Sequence, residues 1–297
     1  MSNILVGTCS WAERTLIKSG EFYPKQVRSS EDRLRYYSKT FKTVEVDSTY
    51  YAIPALRTVH LWSVRTPEDF IFHIKAYAAL TGHGINPKTL PPDIRRNLEK
   101  ARPDKAYLYI KDQGLIEELF YRFKDSLRPL KDSNKLGLLV FQYPPWFRYN
   151  RKSMDEILKI KTYLEGLSLG VEFRHGSWLT EKNRKEVLSF LEKNQLTYIV
   201  ADEPQFGTLE TIPYLPETTT EIAYFRLHGR NTENWLKKGI ETSLRYDYLY
   251  SDNELMEFVS DIKRLSKKAK RVFVMFNNCH GASAVKNALR LMELLRS

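Results

Sequence analysis

The residues able to do chemistry fall in short runs of mixed character spread along the chain. They read Gly7-Thr8-Cys9-Ser10-Trp11, Glu45-Val46-Asp47-Ser48-Thr49-Tyr50-Tyr51, Lys75, Gln142-Tyr143-Pro144-Pro145, Glu172-Phe173-Arg174-His175, Asp202-Glu203-Pro204, Arg226-Leu227-His228-Gly229-Arg230 and Asn277-Asn278. The carboxylates of Glu45, Glu172 and Asp202 and the imidazole of His228 are groups suited to general acid–base catalysis. Lys75, Arg174 and Arg226 suit oxyanions, the arginines through their planar forks. Gln142, Asn278 and the rings of Trp11, Tyr51 and Trp178 add hydrogen bonds and stacking surface for a sugar or a nucleobase. Strand side chains alternate, so Glu45 shares a face with Asp47, Glu172 with Arg174, and Arg226 with His228.

Each run closes a short apolar segment that reads as a strand. The segments are Ile4 to Thr8, Thr43 to Asp47, Phe70 to Ala76, Leu136 to Gln142, Gly170 to Phe173, Thr197 to Ala201, Ile222 to Leu227 and Arg271 to Phe276. Between them, helical spacing covers Glu31 to Thr40, Leu56 to Ser63, Ile94 to Lys100, Leu115 to Leu127, Ser153 to Leu164, Glu181 to Lys193, Asp252 to Leu265 and Ala284 to Leu295. Pro204 to Thr220 carries three prolines and no helical period, so the sixth connection reads as a loop. Alternation of strand and helix implies a parallel sheet. No Gly-rich phosphate loop follows the first strand, which favours closure over an open doubly wound sheet. The expected fold is α/β: a single (β/α)8 TIM-like barrel over 1–297, with a small helical insertion in the stretch Asn86 to Asp132 and one helix-poor connection.

In such barrels the strand C-terminal ends carry function. Glu45, Lys75, Gln142, Glu172, Arg174, Asp202, Arg226, His228 and Asn278 are therefore expected at one end. A self-neutralising ion-pair network is the competing reading, with Arg174 held by Glu172 or Glu45 and Arg226 by Asp202. Glu172, Asp202 and His228 close consecutive strands and would set three ligands side by side for a divalent metal. The chain nevertheless lacks the dense His and carboxylate set of multi-metal phosphodiesterase barrels.

A net charge of +11 favours anionic partners, a small anionic molecule or nucleic acid. The densest basic run, Lys263 to Arg271, leads into the last strand and so belongs to the opposite face. No apolar run approaches the roughly 20 residues of a membrane-spanning helix, and the start lacks the pattern of a secretory signal. The two cysteines, Cys9 and Cys279, are too few for a disulfide framework, and a cytoplasmic location is expected. Because they follow the first and last strands, they are expected to approach each other; either could act with His280 as a nucleophile only if the fold made them adjacent.

Gly7-Thr8, Phe22-Tyr23-Pro24, Glu45-Val46, Phe141-Gln142-Tyr143-Pro144-Pro145, Glu172-Phe173-Arg174-His175, Asp202-Glu203-Pro204, Tyr224-Phe225-Arg226-Leu227-His228-Gly229, Tyr246-Asp247-Tyr248 and Phe276-Asn277-Asn278 together form a recognisable pattern. Nearly end to end, the chain resembles the YecE-like proteins, TIM-barrel proteins classed as a domain of unknown function. The resemblance implies the barrel and supplies no reaction. The chain departs from that pattern at Cys9-Ser10, where Ser-Gly is expected, and at Asp47, where the family commonly shows Asn. The functional expectation is an enzyme, a hydrolase or lyase, acting on a phosphate-bearing or sugar-bearing substrate at the barrel mouth. The alternative is a non-catalytic nucleic-acid or nucleotide binding protein.

Overall fold

Runs of Val, Ile, Leu and Phe buried on both faces form strands that pair only in parallel, because helices cover their outer side. The computed structural model describes residues 3–99 and 107–296. Its strands are β1 (Ile4–Thr8), β2 (Thr43–Val46), β3 (Ile71–Lys75), β4 (Leu136–Gln142), β5 (Leu169–Glu172), β6 (Thr197–Asp202), β7 (Ile222–Leu227) and β8 (Arg271–Phe276). The helices are α1 (Arg14–Ser19), α2 (Ser30–Thr40), α3 (Leu56–Val64), α4 (Pro92–Glu99), α5 (Gln113–Ser126), α6 (Arg128–Asp132), α7 (Arg151–Tyr163), α8 (Arg184–Lys193), α9 (Asp252–Leu265) and α10 (Ser283–Leu294). The eight strands form a nearly closed (β/α)8 barrel in the order β1-β8-β7-β6-β5-β4-β3-β2. Helices α4 to α6 fill the expected insertion, and no helix lies between β6 and β7 among the described residues. Lys100, the last residue of one expected helix, lies outside them.

The seam between β1 and β2 is closed by side-chain chemistry. Tyr37 of α2 accepts from the Thr8 amide at 2.9 Å and donates to the Thr43 carbonyl at 3.2 Å, replacing a ladder bond. Gly7 permits this approach, since a Cβ there would lie 2.4 Å from the Thr43 carbonyl oxygen. Across the barrel wall the register shifts between Phe72 and Ile74, and the Leu138 amide donates to His73 Nδ1 at 2.9 Å. Burial presses His73 down to about 3, so its ring stays neutral and able to accept.

Two apolar regions result from strand alternation. Outward residues pack under the helices, while Leu138, Val140, Ile199, Tyr224, Phe273 and Met275 fill the barrel interior. Above that plug the inward positions turn polar, so the lower barrel is packed core and the upper barrel is a charged chamber.

Candidate functional site

Arg226 stands at the centre of the chamber with no exposed surface. Its Nη2 donates to Glu45 Oε1 at 2.6 Å, its Nε to Glu45 Oε2 at 3.1 Å, and its Nη1 to Glu172 Oε2 at 2.5 Å and Gln142 Oε1 at 3.0 Å. Tyr224, two residues earlier on the same face, donates its hydroxyl to Glu45 at 2.8 Å. Arg174 Nη1 donates to Glu172 at 3.3 Å, and its Nε lies 2.9 Å from Glu203. The residues expected at one end are therefore at the strands' C-terminal ends. Arg226 is spent on Glu45 and Glu172, not on Asp202.

Environment separates the carboxyl groups. Burial alone would raise Glu172, but Arg226, His228 and Arg174 hold it well below the ordinary carboxylate range. Burial lifts Glu45 to about 7 despite Arg226, helped by its neighbour Asp47, to which it hydrogen-bonds. Burial also lifts Glu203 to about 7 against the pull of Arg174. Asp47 is one-quarter exposed and pairs loosely with Lys75, at 3.7 Å. His228 is fully buried, with Nε2 3.0 Å from Glu172 and Nδ1 2.8 Å from the Asn277 amide nitrogen. With that amide donating, Nε2 carries the proton and donates to Glu172. Burial keeps the ring neutral, down at about 3, so His228 orients Glu172 and has no free lone pair for a substrate proton.

Two expected site residues face the wrong way. In the β6–β7 register Ala201 lies beside Arg226 and Asp202 beside Leu227, so Asp202 points outward. There it accepts from Arg230 Nη2 at 3.0 Å and from the Tyr250 hydroxyl at 2.6 Å. Glu203 is the inward residue. Asn278 is likewise outward, donating to the Tyr248 carbonyl at 2.9 Å and to Asn287 at 2.8 Å, while Asn277 reaches the chamber. Consequently Glu172, Asp202 and His228 form no metal triad. Cys9, Glu45 and Asp47 do bring donor atoms within 4.8 Å of one another. Arg226 Nη2 already lies 2.6 Å from Glu45, 3.4 Å from Asp47 and 3.9 Å from Cys9, so a guanidinium stands where a metal would and the set does not fit one.

Two tryptophans expected to contact ligand are core. Trp178 stacks on Phe173 at 4.2 Å, is fully buried and donates its indole N–H to the Phe147 carbonyl. Trp11 packs edge-on against Trp62 at 5.7 Å and Phe72 at 6.2 Å, outside the barrel wall. The mouth is lined instead by other rings. Lys75 Nζ lies 4.8 Å over Tyr50, which packs against His83 at 5.3 Å, and His83 against Trp146 at 5.7 Å. From the β7–α9 loop, Trp235 lies 5.1 Å from Arg174 and Tyr246 lies 6.0 Å from His228. Tyr51 is 64% and Trp146 58% exposed, leaving both free to stack.

Neither thiol is paired with the histidine that could activate it. Cys279 packs against the interior group containing Cys9, and both are free. Burial pushes both thiols up, and His280 pairs with Asp247 at 3.0 Å.

Residues 5–297 match the family model described as protein of unknown function DUF72. The chain belongs to the DUF72 family. It is 32% identical to the UPF0759 protein YunF of Bacillus subtilis (strain 168), over 98% of this chain and 94% of that one. A solved DUF72 family protein from Thermotoga maritima MSB8 is 31% identical and superposes with a TM-score of 0.78, covering 99% of this chain and all of that one. Another, from Enterococcus faecalis V583, is 28% identical with a TM-score of 0.81 over 99% and 96% of the two chains. The YecE-like resemblance and the DUF72 assignment describe the same family. Among the described residues no helix is long and apolar enough to cross a membrane.

Proposed function

We propose that this DUF72 chain is an enzyme acting on a phosphate-bearing or sugar-bearing substrate at the C-terminal mouth of its barrel, by hydrolysis or elimination. The observation that carries the reading is Glu45: a carboxyl held at about 7 and hydrogen-bonded to the partly exposed Asp47. A carboxyl poised near neutrality can both give and take a proton, which is what general acid–base catalysis needs. Asp47 connects that proton to the mouth. Lys75 and Arg174, the cations that reach solvent, hold the substrate, with Tyr51 as stacking surface. Arg226, Gln142, Glu172 and His228 position the chamber, and Glu203 is a second carboxyl at about 7 across the barrel.

The test is a panel of phosphomonoesters, phosphodiesters and glycosides offered to the wild type, Glu45→Gln and Asp47→Asn. Glu45→Gln is expected to lose on the order of 10²- to 10⁴-fold in rate, the range typical of general acid–base groups, while retaining its fold. Asp47→Asn removes both the proton link to the mouth and a negative neighbour of Glu45, so it is expected to slow turnover and to move the pH profile of what remains to the acid side. Full activity in a folded Glu45→Gln variant refutes the assignment.

The exposed rings favour a second reading, a non-catalytic nucleotide or nucleic-acid binder. Tyr51 and Trp146 stand at the mouth with most of their surface available for bases. That reading expects binding that weakens steeply with salt, lost in Trp146→Ala, and no product from the panel.

A further inference from the structure

The groups lining the mouth above Glu45 are almost all donors, and several have nothing to donate to. Among the described residues, the hydroxyls of Tyr50 and Tyr246 and Nη2 of Arg174 have no hydrogen-bond partner. Lys75 Nζ has only Asp47, at 3.7 Å. Contacts already described join these groups into two arms. Lys75, Tyr50, His83 and Trp146 form one; Arg174, Trp235 and Tyr246, whose rings at 235 and 246 lie 5.6 Å apart, form the other. The arms face each other. Tyr246 interacts with both Lys75 and Arg174, and so does His83.

We propose that Lys75, Arg174 and the hydroxyls of Tyr50 and Tyr246 form a pocket for a dianionic oxyanion, the phosphate or sulfate group of a small ester. The inference rests on the enzymatic reading above and narrows its substrate class. Guanidinium, ammonium and hydroxyl donors gathered at one partly desolvated mouth match the tetrahedral oxygens of such a group better than the mixed donors and acceptors of a neutral sugar. His83 reports the local field. Burial and then the charges of Lys75 and Arg174 press it down to about 4, the response of an imidazole facing positive potential. Asp47 opposes an incoming anion, but its grip on Lys75 is loose. Lys75, Arg174 and Arg226 bring three cations to the chamber, and each proton carried by Glu45 or Glu203 removes one of the opposing negative charges.

The probe is sodium sulfate, a dianion throughout the neutral range, titrated calorimetrically into the full chain against sodium chloride of equal ionic strength. Saturable one-to-one sulfate binding is expected. Lys75→Met should weaken it about tenfold or more and Tyr246→Phe about threefold to tenfold, as charge-assisted and ordinary hydrogen bonds imply. Tyr246→Phe removes only a hydroxyl, so it keeps the test alive if Lys75→Met fails to fold. Lys267→Ser with Lys268→Ser, in the basic run beyond α9, should change nothing. Absence of saturation, binding unaffected in both pocket variants, or binding lost in the basic-run variant overturns the pocket. Turnover of neutral glycosides without sulfate binding would remove the pocket and leave the enzyme; sulfate binding dependent on Lys75 and Tyr246, without turnover of any ester, would do the reverse.

Discussion

Replacing Arg226 by Met removes the one cation shared by Glu45 and Glu172. Both carboxyls and the guanidinium have zero exposure, so no water replaces the lost partner. Breaking a buried ion pair from one side typically costs ~3–5 kcal/mol. Here the burden is unequal. Glu45 already sits at about 7 and can take up a proton, whereas Glu172 is held ionised largely by Arg226 and keeps only Arg174 and His228 afterwards. That places the loss near the lower end, ~3 kcal/mol. At roughly 2.1 cal/mol/K per residue, a chain of this size gains about 0.6 kcal/mol/K on unfolding, so Tm should fall by about 5 °C. Arg226→Lys keeps the charge but cannot span both carboxylates, because Glu45 binds the Nε and Nη2 edge while Glu172 binds Nη1. Its loss should be comparable.

The pH dependence provides the sharper check. Glu172 is lowered in the folded state, so its stabilising contribution is complete above about 4.5 and is lost only as pH falls through its depressed value. Without Arg226, burial pushes the Glu172 carboxyl up and lifts Glu45 further, so the folded variant holds protons that the wild type has released, and the gap in Tm between them should widen from acid to neutral pH. Calorimetric melts of both proteins between about pH 5 and 8 measure it. A variant melting within about 1 °C of wild type at every pH would refute the view that Arg226 holds the chamber together, and would return it to direct ligand contact.

Glu203→Gln should flatten the stability profile: a carboxyl raised to about 7 makes the wild type lose stability as pH rises from about 4.5 through 7, by up to ~1.4 kcal/mol per pH unit, and the amide has no proton to lose. Melts at three pH values suffice, and an unchanged slope contradicts it. Tyr37→Phe should cost ~1–3 kcal/mol, about 2–5 °C in Tm, by leaving the Thr8 amide and Thr43 carbonyl unsatisfied at the β1–β2 seam; amide exchange at Thr8 should rise with it. Asp202→Asn should loosen the β7–α9 loop, which Arg230 and Tyr250 tie to it, and leave the Glu45 titration unmoved. Carboxyl-resolved NMR showing a large Glu45 shift in that variant would place Asp202 in the chamber after all.

Much of the barrel was legible in the sequence. β1, β4, β7 and β8 have the limits that the apolar runs suggest, and the others differ by a residue or so at an end. Short Val-, Ile- and Phe-rich segments closed by polar residues leave little choice of boundary. The short helices α1 and α6 were not legible: each is a single turn or so, too short to show a period, and α6 begins with Arg128-Pro129. The aromatic roles were also illegible. Trp11 and Trp178 follow strands as Trp146 does, yet two are packed beneath loops and one is exposed, a difference set by tertiary contacts that residue type does not encode.

Within the chamber the misplacements have a common physical origin. Asp202 and Asn278 are expected in the site and Glu203 is not, yet the residue that faces the chamber stands one position away on each strand end, and a step of one residue reverses the face. The signal was present in the chain. Ile199 belongs to the barrel interior, so position 201 faces in and the next inward residue is Glu203; Phe273 and Met275 put Asn277 there by the same count. Counting from the interior plug upward settles facing at these strand ends, because the plug is apolar and the wall residues under the helices are apolar too. Only the two-residue step distinguishes them. Applied to β2, β5 and β7, the step brings Glu45, Glu172 and Arg226 to one level, and the bonds among them show why that level excludes a metal: the cation it needs is already covalently part of the chain.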